Sequence, residues 1–380
     1  MAVYLDHAAT TRIAPEVRAL MVELLRVEGN PAAAHACGRA AKAILERARV
    51  EAADALGVSS REVVFTGSAT EALDIGIGDL DLAPDVVVAT SPIEHPAVLD
   101  ALAGRPIVEL PLDGEGRVAI GSAREILRDL GPRLGALVVT GAASETGVIQ
   151  PVGRLAHIAR SVAAKAVVVS DLVALAPLGL DAGSPARRML EVVDVAVVAP
   201  HKLGGPTGVG VLVVREGTPL APRRRYVGQE RGLRGGTQAV WLAGGAARAL
   251  SLAAAQGASR REAIVARRER LEQALVEAVP AAKVAGAGAA RVGISLVAVP
   301  GARSEELAVL LDTEGVCVSV GAACRAGAPE PSPSLLAMGW DEPEARSVVR
   351  LSVAPETTDD DVVAAAMALA RIAELLGAAG

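Results

Sequence analysis

The stretch VVAPHKLGGPTGVGVLVV, residues 197–214, sets one lysine between two apolar runs. DVAVVAP (194–200) and GVGVLVV (208–214) read as buried strands, so Lys202 and its neighbour His201 stand at a strand end. A charged amine is costly to desolvate unless it is paired or used chemically. The glycines that follow let the backbone turn tightly and approach a ligand closely. A lysine whose pKa falls on burial becomes a nucleophilic amine able to form a Schiff base. Taken alone, the stretch is read more simply as a surface lysine closing a strand, because short motifs give many false positives.

The flanking chain repeats the strand pattern. EVVFTG (62–67), DVVVAT (85–90), ALVVTG (136–141) and AVVVSD (166–171) are further apolar runs, separated by helix-length stretches such as AAKAILERARVEAADAL (40–56). Continuous Val-rich runs, rather than strict alternation, predict a mostly parallel sheet covered by helices on both faces. After an apolar helix near 239–256 the pattern changes. SRREAIVARRERLEQALVEAV (259–279) opens with Ser259 and Glu262 spaced as a capping box. Strand-like GISLVAV, a helix from about 304, CVSV, a short helix and SVVRLSV follow, and the acids of TTDDD suit the positive end of a closing helix. The expected organisation is a large α/β domain over 16–256, a smaller α+β domain over 257–380, and a segment 1–15 associated with the small domain.

Composition narrows the function. Of 380 residues 51% are hydrophobic but only 1% aromatic, so the core is built from Ala, Val and Leu. Nucleic-acid platforms need rings on which bases stack, and a net charge of −6 gives no general attraction to phosphate backbones. The basic run PRRRYVGQERGLRGG (222–236) reads as a solvated face. MAVYLDHAATT lacks the basic and apolar regions of a signal peptide. AVWLAGGAARALSLAAAQGA (239–258) carries Arg248 and reads as a packed helix rather than a membrane span. Three cysteines without a CxxC pair point to a reducing, cytoplasmic setting.

Several unusual residues fall at the carboxyl ends of strands, where open α/β sheets bind ligands. In FTGSATEA (65–72) small residues expose backbone N–H groups near Ala69 and Thr70 adds a hydroxyl, an arrangement that suits an anion. His95 in SPIEHPAVL follows another strand; a lone loop histidine is usually structural, but an imidazole can also stack on a planar cofactor. Asp171 closes VVVSD, where a carboxylate serves either as a helix cap or, were the cofactor pyridoxal phosphate, as the partner of its ring nitrogen. Lys202 then supplies the amine.

With these motifs the chain resembles the cysteine desulfurases, pyridoxal-phosphate enzymes of the fold-type I, class V aminotransferase-like group. The matching stretches are YLDHAATT (4–11), GNPAAAHACG (29–38), FTGSATEA, IEHPAVL, SETGVIQP (144–151), HKLGGPTGVG (201–210), GQERGLRGGT (228–237), SVGAAC (319–324) and VRLSV (349–353), in family order over nearly the whole chain. The resemblance overturns the simpler reading of Lys202. It implies that Lys202 holds pyridoxal 5'-phosphate and moves the substrate Cα proton, that Asp171 pairs with the ring nitrogen, and that His95 stacks on the ring. Thr70, the backbone near Ala69, and His201 would hold the phosphate. Thr237 matches a threonine reaching the neighbouring subunit's phosphate, which implies a homodimer. Arg350 would bind the substrate carboxylate, with Asn30 nearby. Cys324, in the small-residue loop after Gly321, matches the nucleophile that takes sulfur from L-cysteine as a persulfide, leaving alanine, for delivery to a protein acceptor. Cys317 and Cys37 read as structural, and no metal site is expected.

Three positions and the order of one motif depart from the family pattern. Ser144 stands where an asparagine contacts the cofactor's phenolic oxygen, Ala174 replaces a glutamine, Ala199 replaces a phosphate-binding serine, and TGSATE inverts the usual TSGATE order. Ser144 is the remaining cofactor contact at its position. Two other functions share most of these residues. A same-fold lyase acting on a C–S or C–Se bond would not need Cys324, and a catalytically weak cofactor-binding homologue would not need Lys202, Asp171, His95, Arg350 and Cys324 together.

Overall fold

The computed structural model describes residues 2–224, 226, 228–321 and 331–377. The six Val-rich runs are strands of one seven-stranded sheet. Its spatial order is Val63–Thr66, Gly210–Val214, Val195–Val198, Val167–Asp171, Leu134–Val138, Val87–Thr90 and Ile107–Glu109. Gly210–Val214 runs against both neighbours, and every other pairing is parallel. Val167 and Val169 pack into one hydrophobic cluster and Val168 into another, so successive residues of a central strand are buried on opposite faces. The seventh strand, Ile107–Glu109, went unread because it is a short, partly exposed edge with no Val run.

The later residues build a second, antiparallel sheet ordered Ser319–Val320, Val348–Ser352, Ile294–Ala298, Lys283–Val284. The N-terminal segment reaches this region: Val3–Tyr4 pairs parallel with Val316–Cys317, and the Ser352 amide donates to the Leu5 carbonyl at 2.7 Å. The helical stretch Val240–Ala278 is two helices joined across a kink at Gly257, whose φ is +33°. The expected capping box at Ser259 is absent. The Ser259 hydroxyl, just past the kink, instead donates back to the Gln256 carbonyl. The closing helix, Asp359–Leu375, does carry a capping box, between Thr358 and Asp361.

Two local features shape the sheet's ligand-binding edge. A Cβ on Gly210 would lie 2.4 Å from the Ser68 carbonyl, so only glycine lets this strand pass so close to the loop entering Ala69–Leu73. Glu230, its side chain fully buried, accepts from both Arg49 Nη atoms at 2.7 and 2.9 Å and from the Phe65 amide at 2.9 Å. This pair fastens the segment leading to Thr237 against Val63–Thr66. Glu230→Ala removes the fully buried partner of the Arg49 guanidinium, leaving it only the half-exposed Glu46 and the Val63 carbonyl, and should cost roughly 3 kcal/mol in urea unfolding.

Candidate active site

The parallel strands end along one edge, and a cavity of about 380 Å³ lies there. Eight of the residues singled out in the sequence line it. His95, Asp171, His201 and Lys202 come from strand ends, Ala69 and Thr70 from a helix start, Ser144 from a loop and Arg350 from the second sheet. Lys202 ends the short turn Pro200–Lys202 that follows Val195–Val198, and Gly204 at φ +84° then turns the chain away. Burial pulls the Lys202 amine down to about 8, with Asp171 pulling the other way. The amine is thus partly neutral near physiological pH, as a nucleophile must be.

Asp171 ends Val167–Asp171 and accepts from the Val173 amide at 2.9 Å. Burial raises its pKa, opposed by that amide and by the nearby His95 and Lys202. His95 caps the helix Pro96–Ala101, its Nδ1 accepting from the Ala97 amide at 3.1 Å. The cap fixes the ring and leaves the proton of the neutral imidazole on Nε2; burial, first among several influences, keeps the ring below its usual pKa. His201 is held down to about 4 by burial, then by Lys202, and its Nδ1 lies 3.2 Å from Thr10 Oγ1. It is neutral at physiological pH. Ser68 caps the helix carrying Ala69 and Thr70, accepting from the Glu71 amide at 3.1 Å.

Arg350 sits at the middle of Val348–Ser352. Its Nη1 donates to the Ser144 carbonyl at 3.1 Å and its Nη2 to Asp6 at 3.3 Å, while the buried Nε has no partner among the described residues. A buried donor of this kind calls for an acceptor, and a ligand carboxylate supplies one. The residues also fit pyridoxal phosphate. A partly neutral lysine and a buried carboxylate face one space, and small residues with a hydroxyl open onto the same space from the helix start.

Asn30 and Thr237 do not line this cavity. The Asn30 side chain accepts from the Ala32 amide on an exposed turn. Cys324 lies outside the described residues; Gly321, three residues before it in the sequence, lines the cavity. Cys37 is exposed rather than packed, because the buried face of its helix begins at Gly38 and runs through Ala41 and Leu45.

Sequence reading passed over Asp6, which orients Arg350, and Glu94, although both stand inside the quoted motifs. Glu94 Oε1 accepts from Ser91 Oγ at 2.5 Å and from the Thr140 amide at 3.0 Å, and Oε2 is buried without a partner among the described residues. Burial pushes this carboxyl up to about 8, and Asp171 adds to the rise. A carboxyl that stays protonated in the fold but ionises at about 4.5 when unfolded costs stability increasingly from pH 4.5 to 8 and no further above that. Glu94→Gln keeps the Oε1 acceptor. It should match wild type near pH 4 in urea unfolding and exceed it by a margin that grows to pH 8; equal stability across that range would show Glu94 to be ionised in the fold.

The aminotransferase class-V family matches residues 3–364. A sheet of this topology with a lysine-centred cavity at its edge suits that class, and the chain belongs to it. The chain is 36% identical to a cysteine desulfurase of Cereibacter sphaeroides, with 95% of this chain and 92% of that protein covered. It is 32% identical to an IscS-like cysteine desulfurase of Mycobacterium tuberculosis, covering 99% and 98%. A NifS-like protein from Rickettsia africae superposes with a TM-score of 0.87 at 27% identity, over 98% of this chain and all of that one. Within class V, the chain belongs to the cysteine desulfurase family. That family is one of pyridoxal-phosphate enzymes.

Proposed function

We propose that this protein binds pyridoxal 5'-phosphate and converts L-cysteine to L-alanine, placing the sulfur on Cys324 as a persulfide for a protein acceptor. The observation that carries the reading is the partly neutral Lys202 amine in one cavity lined also by Asp171, His95 and Arg350. Bound pyridoxal phosphate supplies an electron sink that acidifies the substrate Cα–H. Lys202 holds the cofactor and moves that proton. Asp171 keeps a positive ring nitrogen paired, His95 covers the ring, and Thr70, the amide near Ala69, and His201 hold the phosphate. Arg350, aimed by Asp6 and the Ser144 carbonyl, receives the substrate carboxylate.

Sulfur transfer needs a nucleophile, and Cys324 fills that role through its match to the family cysteine. Its thiolate attacks the substrate sulfur, forming an S–S bond as the Cβ–S bond breaks. The electron pair of the broken bond stays with carbon, which takes a proton and becomes the alanine methyl group. The test is equimolar L-alanine and transferable sulfur from L-cysteine with the purified holoenzyme; no alanine would reject the reading.

The working unit is a homodimer, supported by Thr237. It matches a residue that acts across a subunit interface, and it does not line this chain's own cavity. Sedimentation should give a dimer, and Thr237→Ala should weaken phosphate retention. A fully active monomer would refute this. Among the described residues no helix is long and apolar enough to cross a membrane.

A further inference from the structure

Behind the main cavity lies a second space of about 30 Å³, room for about two water molecules. Ala8, Ser144 and Lys202 line both spaces, so the lysine belongs to the wall they share. His7, Thr11, Ser352 and Arg260 supply polar groups to the rear space, enough to hold water where a purely apolar hole would stay dry. The short side chains of Ser144 and Ala174, two of the positions that depart from the family pattern, help leave it open.

From this space a hydrogen-bonded chain leads outward. His7, 8% exposed, has its Nδ1 2.9 Å from Thr11 Oγ1, and that hydroxyl donates to Glu356 Oε1 at 3.3 Å. The Glu356 side chain is 52% exposed.

We propose that the water-sized space, His7, Thr11 and Glu356 form a proton relay between Lys202 and bulk solvent, used while substrate fills the front cavity. The inference rests on Lys202 being the reactive amine. The transfer balances without oxidant or reductant. The Lys202 ammonium gives a proton to cavity water, which passes one to His7. The proton on the other ring nitrogen of His7 goes to Thr11, and the Thr11 hydroxyl proton goes to Glu356 and then to water.

A relay histidine must be neutral to accept. Burial holds His7 below its usual pKa, with Arg12 in support, against Glu356, the Tyr4 carbonyl and Asp6. Lys202 and Arg260, on the wall of the same space, are the other cationic groups facing it.

The test is exchange of the Cα hydrogen of L-alanine with D2O, followed by proton NMR on the holoenzyme. Wild type should exchange, and its rate should fall as the pH drops through the His7 titration. His7→Gln should exchange at least tenfold more slowly and lose that acid limb, a change that a purely structural role for His7 would not produce. Ala174→Val, which fills the space without touching the histidine, should slow exchange comparably. A crystal structure of the cofactor-free protein should show ordered water between Lys202 and His7. Wild-type exchange rates in both variants, or a dry space, would overturn the relay. No exchange by wild type would instead remove Lys202 from its role, and the relay would fall with it.

Discussion

Holoenzyme carrying Cys324→Ser is expected to lose alanine formation from L-cysteine by roughly a hundredfold or more, the scale on which removal of a nucleophile acts. Substrate binding should survive, because Arg350 and Lys202 are untouched and Arg350 is held independently by Asp6 and the Ser144 carbonyl. Wild type exposed briefly to L-cysteine should carry one extra sulfur on the Cys324 peptide, removable by a thiol reductant and visible by mass spectrometry. Cys324 has small neighbours, Ala322, Ala323, Ala326 and Gly327, and no second cysteine in a comparable loop. An enzyme releasing sulfide directly behaves otherwise: Cys324→Ser would turn over almost normally and the peptide would gain no sulfur. That pair of results would end the persulfide mechanism and leave the cofactor assignment standing.

Lys202→Ala should remove the yellow absorbance of lysine-bound cofactor and lower turnover by about a thousandfold or more. The residues at the phosphate end remain, so the variant should still bind cofactor, but reversibly and through dialysis. The pH behaviour of wild type follows from the amine. Burial sets it at about 8, so the rate at which cofactor-free protein captures pyridoxal phosphate should climb with pH, be half-maximal near 8 and level off about one unit above, because only the neutral amine attacks. An unaltered spectrum in the variant would mean that another group holds the cofactor. A capture rate that keeps rising to pH 10 would mean that Lys202 is not desolvated.

Much of this site is legible without coordinates because its chemistry lies at strand ends. Val-rich runs announce the strands, and the residue that closes each run must sit at the sheet's edge. Asp171 after VVVS and Lys202 after VVAPH are therefore placed by the local sequence alone. The restricted choice at Gly210 is not local: a Cβ there would lie 2.4 Å from the carbonyl of Ser68, far away in the chain. Other assignments failed where the pattern carries little signal. The edge strand Ile107–Glu109 is too short and exposed to show a period. The capping box at Ser259 does not form, although the helix does break at Gly257, because the Ser259 hydroxyl turns back to the Gln256 carbonyl.

The sequence by itself determined the doubly covered, mostly parallel sheet, the change to mixed strands and helices after it, and the lysine, aspartate and histidine at the strand ends. Each depends on hydrophobic period or on contacts between near neighbours in the chain. Tertiary structure alone decided which distant side chains share a wall. Arg350 is aimed by Asp6, 344 residues away, and Thr11 meets Glu356 across 345 residues. Glu94 keeps its proton because packing excludes water from a carboxyl that would ionise in any open loop. Burial and long-range pairing are properties of the folded surface, and no local pattern of residues encodes them.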